Sequence, residues 1–180
     1  MSGIWYTATR KFDPSIGEEW VQYRDWAKIP QLKELISLGT THRPQELWAL
    51  IDSDWEYNIH QDFLISFFWD VEYLCQRFAH KRAEVNILAV CLEPSFEMRG
   101  SFNDPRFAFQ GYDLLGDGDI SAISNCGGFE GAFQTRDISE VGLFDTYAFA
   151  RKVQKRLRHQ YPTEPHADCE VWAIWKMISQ

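Results

Sequence analysis

No apolar run in this chain of 180 residues approaches the roughly 20 needed to cross a bilayer, so no membrane span is expected. Residues 1–12 lack the charged-then-apolar order of a signal peptide, and the expected compartment is the cytoplasm. Cysteine is sparse. Cys75 and Cys91 sit in apolar runs and read as small buried hydrophobes, which suits a reducing compartment. The spacing of Cys75, Cys91, Cys126 and Cys169 matches no zinc pattern. Neither Gly-x-x-x-x-Gly-Lys nor Gly-x-Gly-x-x-Gly occurs, so no nucleotide or other cofactor is expected. Positive charge is in deficit, with 18 Lys and Arg against 26 Asp and Glu and a net charge of -8. A surface of that sign repels phosphate backbones, which removes nucleic acid as an expected partner.

Aromatic rings are abundant, at 16% of residues with eight tryptophans. They carry large apolar area and serve both cores and interfaces. One segment stands out. From residue 44 to residue 76 there is no lysine or arginine, while Glu46, Asp52, Asp54, Glu56, Asp62, Asp70 and Glu72 alternate with Trp48, Trp55, Tyr57, Phe63, Trp69 and Tyr73. Acid interleaved with aromatic suits a surface that grips a basic partner. It equally suits a core helix with a solvated acidic back.

The chain is long enough for one domain with a sizeable core, and residues 1–180 read as a single α+β domain. Strands are expected over residues 4–12, 85–92, 106–115, 120–125 and 170–178, with a shorter one over 54–59. The runs at 85–92 and 170–178 are apolar on both sides and read as central, doubly covered strands. Helices are expected from Asp13-Pro14 to about Trp26, over 31–38, over 61–79 and over 143–161. The sheet should be mixed or mainly antiparallel, of five or six strands with helices packed on it. Gly116-Asp117-Gly118-Asp119 reads as a hairpin turn, because it lacks the later ligands of a calcium loop.

Three patterns bear on chemistry. Cys126 precedes Gly127-Gly128 in a loop, and with His166 as base and Asp168 as its orienter it would make a cysteine-dependent enzyme. The bland reading makes the glycines a turn and Cys126 filler. His159, His166, Asp168 and Cys169 are possible metal ligands, but their spacing matches no known site and no metal is expected. Arg151, Lys152, Lys155, Arg156 and Arg158 read as the solvated face of the last helix. On the 61–79 helix, Phe63, Phe67 and Phe68 belong to an apolar stripe, whereas Asp62, Trp69 and Tyr73 fall opposite it. Asp54, Trp55 and Glu56 repeat that acid-aromatic chemistry just upstream.

In overall profile the chain resembles the small, acidic, Trp-rich immunity proteins that bacteria make beside secreted or contact-delivered toxins. The resemblance spans the whole chain and rests on no motif. It implies a protein partner with a basic surface, such as a cognate toxin, whose site carboxylates and aromatics would occlude. Asp54, Trp55, Glu56, Asp62, Trp69 and Tyr73 are the residues expected to do so. A homodimeric accessory subunit, with its aromatics in the dimer interface, is the remaining alternative.

Overall fold

The strand that comes last in the chain lies in the middle of the sheet. The computed structural model describes residues 3–47, 49, 70–116, 120–124, 129 and 131–178. Strands β1 (Trp5–Arg10), β2 (Val85–Leu92), β3 (Phe107–Gly116), β4 (Ile120–Ser121) and β5 (Glu170–Met177) form one sheet in the order β1-β2-β5-β3-β4. Every pairing is antiparallel. The fold is therefore α+β, with five strands among the described residues.

Helix α2 (Val71–Arg77) contributes Val71 and Leu74, and α3 (Tyr147–Gln160) contributes Ala150, Val153 and Leu157, to a buried cluster with Ile87, Ala89, Val171 and Ala173. Leu88, Val90, Trp172 and Ile174 point to the other side, where Ile36, Leu38 and Leu143 cover them. The apolar character of β2 and β5 on both sides thus has a direct cause.

The cover on that second side corrects the expectation of a helix over 31–38. The segment is an irregular, extended strap. Its backbone donors are taken by other segments: Lys33 N donates to Glu140 O (2.7 Å), Leu35 N to Phe12 O (2.8 Å) and Ile36 N to Val141 O (2.9 Å). Leu32, Leu35 and Ile36 sit at helix-like spacing, but Leu35 and Ile36 bury in different clusters, which consecutive residues of an extended chain can do.

Other boundaries moved for local reasons. Asp13 caps as expected, accepting from Ser15 N (2.9 Å), but it caps only a short 3-10 turn, Pro14–Ile16. Gly17, at φ 74°, turns the chain before α1 (Glu18–Ala27) begins. α3 starts at Tyr147 rather than 143, because Thr146 accepts from Phe149 N (3.3 Å) and the Glu97 carboxylate accepts from Tyr147 N (3.0 Å). Residues 122–124 turn instead of extending β4. β3 and β4 pair through Leu115↔Ser121 and Gly116↔Ile120, the geometry of a hairpin; Asp117, Gly118 and Asp119 themselves lie outside the described residues.

A bulge in β3 shifts its register between Phe109 and Gly111. Before it, Phe107 and Phe109 face the helices; after it, Tyr112 and Leu114 do. The side-chain alternation therefore slips by one residue. That slip turns Asp113 towards the strap.

Candidate partner-binding surface

The expected site residues divide sharply. Asp54, Trp55, Glu56, Asp62 and Trp69 lie outside the described residues, as does Cys126. Tyr73 is half-buried in α2 and packs against the core. The helical wheel that grouped it with Asp62 and Trp69 does not run through Asp70. Asp70 is extended (φ -66°, ψ 138°), and its carboxylate accepts from Glu72 N (2.9 Å) and Tyr73 N (3.0 Å), so the helix begins at Val71.

Several carboxylates of the lysine-free segment serve the fold. Asp70 is that cap. Glu72 pairs with Arg106 (2.6 Å) and Glu46 with Lys81. For these three a cap or an ion pair within the fold accounts for the charge.

Acid and aromatic do meet on the surface in α1. At 100° per residue, Trp20 and Ala27 point inwards, while Glu18, Glu19, Val21, Gln22, Asp25 and Trp26 spread over the outer face. Trp26 is 56% exposed and Val21 46%. Trp26 does not hang free. Its ring lies 5.9 Å from that of Tyr23, and Tyr23 meets buried Phe12 edge-on at 5.4 Å. Tyr23 OH also donates to Ser124 O (3.1 Å). A ladder of rings thus runs from the core to the surface and holds the outermost one in place, which lowers the ordering cost of using it as an anchor.

Buried His42 completes the base of the ladder, edge-on to Phe12 at 5.6 Å and Tyr23 at 6.5 Å. Burial, helped by Arg10, pulls its pKa down to about 4, so the imidazole is neutral at pH 7. Its Nδ1 has no hydrogen-bond partner among the described residues. The helical part of the 13–26 segment, from Glu18 on, was legible, and the acids and Trp26 on its outer arc were the available signal for this face.

Of the cysteine-enzyme alternative, His166 and Asp168 are described, and their surroundings differ. His166 is 2% exposed, with its ring edge-on to Phe129 at 4.8 Å. The Asp168 side chain is 87% exposed and pairs with Arg158 at 3.4 Å. Neighbouring Cys169 is buried, and burial pushes its thiol up to about 12, far from a reactive thiolate. The basic cluster is partly committed as well: Arg151 pairs with Glu93 (2.5 Å) and Arg156 donates to Ala132 O (2.9 Å).

One buried carboxylate remains. Asp113 Oδ1 accepts from Leu114 N (2.8 Å) and Ser121 Oγ (2.6 Å), and Oδ2 accepts from Leu38 N (3.0 Å). It ties β3, β4 and the strap together. Burial outweighs these hydrogen bonds and raises its pKa to about 6. Each oxygen receives a backbone N–H, so Asp113→Asn must turn an amide NH2 against one of them. Urea unfolding at pH 5 should show a loss of about 1–3 kcal/mol.

Among the described residues no helix is long and apolar enough to cross a membrane. Comparison of the chain with protein-family models, curated proteins and solved structures returned no match.

Proposed function

We propose that this protein is a binding protein that neutralises a basic partner by covering it, as immunity proteins cover toxins, and that the outer face of α1 makes the contact. The observation that carries the reading is Trp26: a large ring held outwards on a stack rooted in the core, on a helix whose outer face also carries Glu18, Glu19 and Asp25. A half-exposed tryptophan leaves apolar area in water that a partner can cover. The carboxylates around it would steer a cationic surface on approach. Arg24 lies 3.5 Å from Asp25, but that pair is exposed and contributes little.

Affinity purification from the native host, followed by binding kinetics with the captured protein, tests the reading. Trp26→Ala should weaken binding about 30-fold, mostly through faster dissociation. Glu18→Lys with Asp25→Lys should slow association about tenfold at low salt, with the difference shrinking as salt rises. Unchanged kinetics in both variants would reject this face. Light scattering covers the homodimer alternative: a dimer that Trp26→Ala dissolves would make the same face a self-association surface.

A further inference from the structure

The sheet splits at one end. β2 pairs with β1 along Val85–Val90, from Arg10↔Val85 to Trp5↔Val90. Its ladder with β5, however, stops at Leu88↔Lys176. β5 continues beside β3 to Phe107↔Met177, and Ile178 N donates to Arg106 O (2.8 Å). Outwards from Leu88 and Lys176 the two pairs of strands part, and α2 closes one side of the gap. The result is a cleft of about 700 Å³, within the range of small-molecule sites.

Its apolar lining is Val85, Ile87, Met177 and Ile178, of which Val85 and Ile87 are buried and Ile178 is half-exposed. Among the described residues that line it, Lys11, Arg82, Arg106 and Lys176 stand against one acid, Glu72. Two of these cations are already answered. Arg106 is clamped by Asp104 (2.8 Å) and Glu72 (2.6 Å), and Lys176 is paired with Glu34. Lys11 lies close enough to Asp13 to help hold that carboxyl below its usual range, but neither it nor Arg82 makes a close ion pair among the described residues. In a chain of net charge -8, these two cations from different segments line one cleft.

We propose that this cleft binds a small organic carboxylate carried on an apolar body. The head would sit between Lys11 and Arg82 and the body would lie along Ile87, Met177 and Ile178. Arg106 and Lys176, held by their own partners, line the cleft without being neutralised by the ligand. The charge pattern selects an anion, and the apolar lining selects one with a tail over acetate or inorganic phosphate.

Octanoate is a suitable probe, with octylammonium as a tail of opposite charge and acetate as a head without a tail. Calorimetry should show saturable octanoate binding below about 1 mM, with octylammonium and acetate at least tenfold weaker. Lys11→Gln with Arg82→Gln should weaken octanoate at least tenfold. Cys75 lines the cleft, its sulfur 3.8 Å from that of Met177, and supplies a second readout on the unaltered protein. Octanoate should slow alkylation of Cys75 followed by peptide mass spectrometry, with buried Cys91 and Cys169 as internal references. Octylammonium binding as tightly as octanoate, octanoate affinity unchanged in the double variant, or unslowed alkylation at saturating octanoate would each overturn the proposal.

Discussion

Gly111→Val should destabilise the protein by about 2–6 kcal/mol in urea unfolding, or prevent folding. Two independent costs add at this bulge. Gly111 has φ 142°, a backbone conformation that a β-branched residue adopts only at a cost of roughly 1–3 kcal/mol. A Cβ built there would also lie 2.7 Å from Phe144 O and 2.9 Å from Leu143 Cβ. Phe144 O cannot retreat cheaply, because it accepts from Tyr112 N (2.8 Å) while Phe144 N donates to Tyr112 O (3.0 Å). Forcing atoms into such a space costs about 1–3 kcal/mol more. Gly100 separates the two effects. Its φ is 80°, but nothing lies within 4 Å of its would-be Cβ, so Gly100→Val carries the strain alone. Equal losses at the two sites would refute the close-approach argument.

His42→Phe should be close to neutral at pH 8 and should make the protein more stable than the parent by about 2 kcal/mol at pH 5. The sign follows from the native imidazole. Its pKa is pulled down from 6.5 to about 4, so the folded state binds the proton less readily than the unfolded chain. The stability from neutral His42 is complete above pH 6.5 and drains away as pH falls from there towards 4. Phenylalanine keeps an edge-on ring beside Phe12 and Tyr23 and removes an unpartnered nitrogen. Asp113 works the other way. Its pKa is raised from 3.8 to about 6, so its ionisation costs stability as pH rises through that window. Glu170, pushed upwards by burial, adds to the same side. In the parent protein the two slopes largely cancel between pH 6.5 and 5. Without His42 its opposing slope is gone, and the variant should gain stability relative to the parent on mild acidification. A variant whose stability follows the parent's unchanged from pH 8 to 5 would contradict the buried, neutral imidazole.

The elements that were legible are those whose pattern has one physical cause. β2 and β5 are apolar on both sides because both sides are covered, and their spans were read almost to the residue. The apolar stripe of α3 was equally plain. What escaped reading depends on partners distant in sequence. Leu32, Leu35 and Ile36 look helical until the carbonyls of residues 140 and 141 accept from the backbone of Lys33, Glu34 and Ile36. The bulge at Gly111 exists because Phe144 approaches it, and no local pattern announces that approach. Asp70 could be read as one more acid on a long helix or as the cap of a short one, and its carboxylate decides for the cap. That choice removed the phase argument that had joined Trp69 to Tyr73. The α1 face needed knowledge of which side of the helix meets Phe12. The cleft depends on where a ladder between strands far apart in the chain happens to end.

The central place of β5 also governs how the molecule can assemble. β1 with β2, and β3 with β4, can pair as soon as they have been synthesised, but they are two separate pieces until residues 170–177 arrive between them. Until then β2 and β3 each present an open edge of strongly apolar strand, the kind of surface that invites pairing with another chain. The sheet closes late and through contacts distant in sequence, which favours slow folding. The protein should therefore depend on chaperones more than its size suggests, and a chain cut before Glu170 should aggregate rather than persist as a smaller folded unit.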